Sequence, residues 1–261
     1  MALRVVLGDS RRMPELRDAS VHLVVTSPPY PMIAQWDGLF ASAGCETYDD
    51  MHAYLAAVWR ECHRVLVDGG ICCINVGDAT RRVGKEFKLY PNHARVLEAC
   101  ERLGFRALPY ILWKKPTNKP NAFLGSGFLP PNAYVTLDCE FILLLRKGGL
   151  RRFPPHDAKR YASTFTRKER DEWFSQIWEV RGTKQGSGRT AAFPEEVPRR
   201  LIRMFSCEGD LVLDPFLGTG TTMRAAESLG RSCIGYELPE AAGLLELGLD
   251  MEVMKRGASD G

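Results

Sequence analysis

The 261-residue chain has no apolar run of the roughly 20 residues that a membrane-spanning helix needs. Its start, Met1-Ala2-Leu3-Arg4-Val5-Val6-Leu7-Gly8-Asp9, reaches an acid too soon for the apolar core of a signal peptide. The expectation is a cytoplasmic protein with no membrane partner. The eight cysteines are scattered and form no CxxC pair, which argues against a disulfide framework or a zinc site and for a reducing compartment. Net charge is +3, too small to point to nucleic acid without local clustering. Of the five histidines, His52, His63 and His93 fall in or beside helical stretches and read as structural. Internal repeats and low-complexity tracts are absent. So are GxGxxG, the usual dinucleotide fingerprint, and the Gly-Lys-Ser/Thr of a phosphate-binding loop.

What remains is a chain of globular composition with enough apolar residues for a substantial core. Strand-like runs at Arg4–Leu7, His22–Val25, Ile71–Val76, Leu108–Trp113, Phe141–Leu145, Leu211–Leu213 and Ser232–Tyr236 alternate with helical patterns. The helices are expected over Met51–Leu66, His93–Leu103, Glu195–Met204 and Met223–Leu229. Residues 31–50 read as a loop or short helix, and the tail 251–261 as frayed. This alternation implies an α/β domain with a doubly wound, mostly parallel sheet. Ligands of such sheets bind at the carboxyl ends of the strands, near the switch in strand order.

Two strand exits carry chemistry. The first is Thr26-Ser27-Pro28-Pro29-Tyr30. Two prolines cannot continue a helix or donate to a ladder, so the backbone is stiff and the Ser27 and Pro28 carbonyls are free to accept. The second is Asp214-Pro215-Phe216-Leu217-Gly218-Thr219-Gly220-Thr221-Thr222, followed by a helix, a strand and Glu237. Gly218 and Gly220 let the backbone pass close to a ligand. Glu237, about 20 residues on, is placed to grip ribose hydroxyls. An acid beside the turn would repel pyrophosphate, so Asp214 suits a cationic ligand such as a methionine amino group. A third feature is basic: residues 147–189 hold eleven Lys and Arg against five acids, interleaved with Phe153, Tyr161, Phe165, Trp173, Phe174 and Trp178. Charge alone makes that a solvated surface as readily as a nucleic-acid contact.

The segment Asp214–Thr222 resembles the S-adenosylmethionine motif of amino-methylating DNA methyltransferases, and Thr26–Tyr30 resembles their catalytic motif. The catalytic motif comes first, as in the circularly permuted beta group. Asn75-Val76-Gly77-Asp78, Trp113–Pro120, Gly125-Ser126-Gly127 and Ala191-Ala192-Phe193-Pro194 match further family stretches. The resemblance implies one catalytic domain over 1–250 with a seven-stranded methyltransferase sheet and a target-recognition region inserted at 147–189. It implies Ser27, Pro28, Pro29 and Tyr30 as the catalytic group. For S-adenosyl-L-methionine it implies Asp9, Ser10, Phe193, Pro194, Asp214, Phe216, Gly218, Thr219, Gly220, Thr221 and Glu237. It implies no metal site. Serine at position 27 resembles the cytosine-N4 subset of bacterial and archaeal restriction-modification systems, with duplex DNA, a homodimer and a cognate endonuclease as expected partners. Adenine-N6 methylation stays open. A protein-glutamine methyltransferase would have Asn before the prolines and the cofactor motif first. Carbon-5 methylation would need a Pro-Cys pair, which is absent. A DNA-binding module that has lost catalysis is the reading from another class.

Overall fold

The computed structural model describes residues 1–115, 130–131, 134–181, 193–239 and 250–256. Within them the chain forms β1 (Leu3–Leu7), β2 (Val21–Thr26), a 3-10 turn (Ala34–Trp36), α1 (Asp37–Ser42), α2 (Tyr48–Val65) and β3 (Leu66–Val76). There follow β4 (Ala79–Val83), β5 (Glu86–Tyr90), α3 (Asn92–Arg102), β6 (Phe105–Lys114), β7 (Cys139–Lys147), α4 (Ala158–Ala162) and α5 (Arg167–Trp173). The last elements are β8 (Ile177–Glu179), α6 (Glu196–Phe205), β9 (Leu211–Asp214), α7 (Thr221–Ser228), β10 (Ser232–Glu237) and β11 (Glu252–Lys255).

Among the described residues, one sheet of nine strands runs in the order β11-β1-β10-β9-β2-β3-β7-β6-β8. All its pairings are parallel except those of β7 with β3 and with β6. The fold is therefore the doubly wound α/β type, with nine strands where seven were expected. The two additions are the short edge strands β8 and β11. β11 pairs with β1 from Arg4↔Glu252 to Leu7↔Lys255, in the stretch expected to be frayed. Arg256 continues the register: its guanidinium binds Glu15 at 2.7 Å and the Arg12 carbonyl at 2.7 Å. Residues 116–120, 125–127, 191–192 and 257–261, with Lys184 and Arg189, lie outside the described residues.

Sequence pattern explains the layering. Along β2, Val24 faces one core and Leu23 and Val25 the other, as a two-residue strand period requires. The first core is filled by Phe40, Leu55, Val58, Trp59, Cys62 and Val96 from α1, α2 and α3. The second holds Trp173, Val197, Leu201, Ile202, Met223 and Ala225 from α5, α6 and α7. Helix α2 starts at a capping box in which Thr47 and Asp50 satisfy each other's backbone N–H. In β3 every residue from Gly70 to Val76 is buried, as befits a central strand covered on both faces.

The carboxyl ends of β1, β10, β9, β2, β3 and β6 form one rim. Because β7 is antiparallel, its first residues, Cys139 and Glu140, come up to that rim and its last, Lys147, lies at the opposite end. The basic segment leaves from that opposite end. Arg151 pairs with buried Asp210, which precedes β9, and Arg203 at the foot of α6 bonds the Thr164 carbonyl. From Lys147 to Glu169, the stretch expected to read DNA is thus remote from the rim that holds Ser27. Charge and aromatic content could not show this, because it follows from the direction of one strand.

The turn after β9 lies on a tightly packed bed. A Cβ added at Gly235 in β10 would sit 2.6 Å from Leu217 Cδ1 and 2.9 Å from its Cγ. Gly235→Ala should therefore cost about 1–3 kcal/mol by overpacking, seen as a lower urea midpoint; an unchanged midpoint would show that Leu217 can move aside.

Candidate active site

β9 and β2 are neighbours at the place where strand order reverses, and they bring the two motifs together. Thr26 at the end of β2 donates its hydroxyl to Asp214 Oδ1 at the end of β9, at 2.7 Å. Both side chains are almost fully buried. The same carboxylate oxygen accepts the Phe216 N–H at 3.1 Å. Beyond Asp214 the chain turns through Gly218 and Gly220, with φ of 56° and 78°, a left-handed region open to glycine at little cost. Gly220 is the N-cap of α7. A Cβ built on Gly218 would meet only the Phe216 carbonyl, at 4.0 Å, so open space lies over the turn. Thr219 and Thr221 flank it with hydroxyls 3.4 Å apart. Phe216 stands edge-on to Trp59, centroids 6.0 Å apart.

Glu237 ends β10. One carboxylate oxygen takes the Gly218 N–H at 2.6 Å and the other the Leu238 N–H at 3.0 Å. Burial pushes Asp214 up to about 6, against the pull of its hydrogen bonds, and raises Glu237 as well. Two desolvated carboxylates beside an open turn fit a cationic nucleoside cofactor. Asp9 and Ser10 follow β1 on the same rim. Asp9 is held by Arg11, whose backbone N–H lies 2.8 Å from Oδ1 and whose Nε lies 2.7 Å from Oδ2. Arg11 in turn lies over the ring of Tyr54, 4.6 Å from its centroid. Tyr54 is pushed up to about 12, by burial first and then by Asp9. Neither Arg11 nor Tyr54 was legible as a site residue, because one looks like surface charge and the other like the apolar stripe of α2.

Ser27 and Tyr30 open onto a second pocket, of about 350 Å3 including its mouth, also lined by Pro28, Gln35, Trp36 and Phe193. Phe193 thus faces the catalytic motif, while buried Pro194 starts the turn into α6 by accepting the Val197 N–H at 2.9 Å. The floor holds residues missing from the sequence assignment. Tyr30 donates its hydroxyl to Glu140 Oε2 at 2.9 Å, and Asn75 Nδ2 donates to both, at 2.8 Å and 2.6 Å. Lys115 forms an ion pair with Glu140. Since Tyr30 gives its proton to Glu140, the 3.0 Å contact between Ser27 Oγ and Tyr30 Oη is a donation from serine. The serine lone pairs are left facing the pocket. Asn75 Oδ1 is buried and has no hydrogen-bond partner among the described residues. Burial, and then Glu140, hold the Tyr30 phenol well above its ordinary pKa, so it stays protonated. The signal for Asn75 was one amide inside the apolar run Ile71–Val76; for Glu140 it was an acid at the head of a buried strand. Asp78, at the same strand end, instead caps α3 through the His93 N–H at 3.1 Å.

A glycine turn bounded by two desolvated carboxylates, beside a pocket with a hydroxyl acceptor on a polar floor, fits a group transferase acting on an amine. The chain belongs to the DNA methylase family, whose pattern it matches over residues 21–242. It is 57% identical to the type II methyltransferase M.MjaI of Methanocaldococcus jannaschii, over 91% of this chain and 88% of that protein. It is 47% identical to the type II methyltransferase M.MthZI of Methanothermobacter thermautotrophicus, over 90% and 72%. Among solved structures it resembles TTHA0409 of Thermus thermophilus, complexed with S-adenosyl-L-methionine, with TM-score 0.79, 36% identity and coverage of 98% and 99%.

Asp214 gives the cofactor site a pH signature. Its carboxyl holds a proton below about 6 and is an anion above it. Affinity for a cationic cofactor should be full at pH 7.5 and fall as the pH drops through about 6. Thr26→Val, which removes a hydrogen bond to the anion, should move that fall to higher pH. Titration calorimetry checks both; a flat profile from pH 5 to pH 8 would remove Asp214 from the site.

Proposed function

We propose that this protein transfers a methyl group from S-adenosyl-L-methionine to the exocyclic N4 amine of a cytosine in duplex DNA. It would act as the modification arm of a type II restriction-modification system beside a cognate endonuclease. The observation that carries this reading is the ordered chain Ser27–Tyr30–Glu140, whose protons all point inward. Serine at this position, in place of an acid, supports cytosine. Family membership and the type II relatives support DNA as substrate.

A base amine is a poor nucleophile because its lone pair is delocalised into the ring. The bound cofactor supplies an electrophilic methyl group on a sulfonium sulfur. Ser27 Oγ and the Pro28 carbonyl accept the two amine hydrogens, which favours a pyramidal nitrogen and localises its lone pair. Ser27 can do so because its own proton is committed to Tyr30. As the nitrogen–carbon bond forms and the carbon–sulfur bond breaks, the amine becomes cationic. Its surplus proton leaves along the same acceptors, toward Ser27 and the Glu140 carboxylate behind Tyr30. Until then the Lys115 ammonium balances the Glu140 charge. Positioning and electrostatics supply most of the acceleration, and no covalent enzyme intermediate is needed. The amine is unreachable inside the stack, so the base is flipped, and Tyr30 and Trp36 offer ring surfaces against it.

Glu140→Gln should lower kcat about 100-fold, through misorientation of Tyr30 and Ser27, while leaving cofactor affinity unchanged. Steady-state rates with calorimetry check this, and an unaltered kcat would exclude the relay. Methylated DNA digested to nucleosides and weighed by mass spectrometry should yield N4-methylcytosine. N6-methyladenine would keep the enzyme class and overturn the base; no product with any duplex would overturn both.

A further inference from the structure

The hairpin of β4 and β5 belongs to no part of the catalytic machinery. Among the described residues its strands pair only with each other, from Ala79↔Tyr90 to Val83↔Glu86. Its root lies on the active-site rim. β3 carries Asn75 into the pocket, and the chain enters β4 three residues after β3 ends, past Gly77 and Asp78. A Cβ on Gly77 would come within 3.1 Å of the Tyr30 ring. Asn92 ties root to catalytic loop by donating to the carbonyls of Gly77 at 3.0 Å and Pro31 at 2.9 Å. Arg81 clamps the same loop through the Met32 carbonyl at 2.8 Å and an ion pair with Asp37. Beyond that clamp the hairpin runs into solvent: Arg82, Val83, Gly84, Lys85, Glu86, Lys88 and Leu89 are all exposed.

Its charge is one-sided. Residues 79–90 hold four basic side chains and a single acid. Arg81 stands directly opposite Lys88, an arrangement that destabilises a two-stranded ribbon by like-charge repulsion. An isolated hairpin is already marginal in water. Asp37 offsets the Arg81 charge on the loop side, and a polyanion beside the hairpin would do the same for Lys88 and its neighbours. In the basic segment after β7, by contrast, several cations have acids beside them. Arg151 is bound to Asp210, Arg167 lies 3.8 Å from Asp171 and Lys168 3.9 Å from Glu172.

We propose that the β4–β5 hairpin is the arm that holds the DNA backbone beside the flipped base, with Arg82, Lys85 and Lys88 on phosphates. The proposal rests on the DNA-methylating reading above. A two-stranded ribbon has the width to follow a major groove, and its root on the Tyr30 loop sets the spacing between phosphate contacts and pocket. These contacts carry no sequence information; they fix where along the duplex the pocket lies.

The test is the salt dependence of binding to a fluorescein-labelled duplex of random sequence, by anisotropy over about 50 to 200 mM salt. The triple variant Arg82→Gln/Lys85→Gln/Lys88→Gln should bind more weakly, and the slope of log K against log salt should flatten by about 1 for each phosphate that is no longer neutralised. Its affinity for S-adenosyl-L-methionine should match the wild type, which reports an intact domain. The variant Arg167→Gln/Lys168→Gln, at the far end of the sheet, should keep the wild-type slope. A hairpin variant with wild-type affinity and slope would overturn the hairpin's role and leave the DNA reading standing, as would flattening only in the Arg167/Lys168 variant. A wild-type protein with no salt-dependent duplex binding would overturn both.

Discussion

The hydrogen bond between Thr26 and Asp214 is the constraint on which the site depends. It crosses from β2 to β9 where strand order reverses, in a place closed to water. Each partner ends its strand and begins a functional loop. On the Thr26 side the next residues are Ser27 and the paired prolines; on the Asp214 side the next are the glycine turn and α7. Any movement of one strand end against the other changes the distance between the two pockets. In-line transfer tolerates little such change, since misplacement by an ångström can remove much of the rate. The buried carboxylate is unfavourable to keep charged, and its raised pKa reflects that desolvation. The protein keeps it where a cationic ligand would offset the loss of water.

The second pocket is organised by strand direction as well. Tyr30, Asn75 and Lys115 all converge on Glu140, so the acid orders the floor beneath the pocket that Ser27, Pro28 and Trp36 line. That convergence is possible only because β7 runs against its neighbours. A parallel strand would bring its last residue to the rim; β7 brings its first ones, Cys139 and Glu140, and sends Lys147 to the other end. One reversal therefore places a carboxylate under the catalytic motif and carries the first part of the basic segment, Lys147 to Glu169, to the opposite end before β8 returns toward the rim.

This division explains what could be read in the chain. The strand exits at Thr26–Tyr30 and Asp214–Thr222 were legible because proline pairs and spaced glycines have few structural uses, and the two motifs together pointed to the DNA methylase family. The central strands were legible from apolar runs bounded by glycine and acid. The hairpin of β4 and β5 was not, because Arg81, Arg82, Lys85 and Lys88 erase its alternation. β11 was not, because its pairing with β1 comes from the other end of the chain. Glu140 carries no motif and Asn75 lies in a family stretch that names no role for it; what they do depends on which strands are neighbours and in which direction they run. Charge density pointed to residues 147–189, although Arg151 and Arg167 have acids of their own.

The strands that frame the cofactor and the catalytic loop are neighbours in space and 188 residues apart in the chain at their hydrogen bond. Closing a loop of that length costs entropy before any packing offsets it. During synthesis β2 and its loop exist long before β9 does, and the N-terminal part can form helices and a partial sheet without a methyl-donor site. Pairings of this sequence separation slow folding and leave the edge of β2 unprotected until the last strands arrive. Chemical competence is thus a late event in the life of the chain, and it reports that the sheet has closed from both ends.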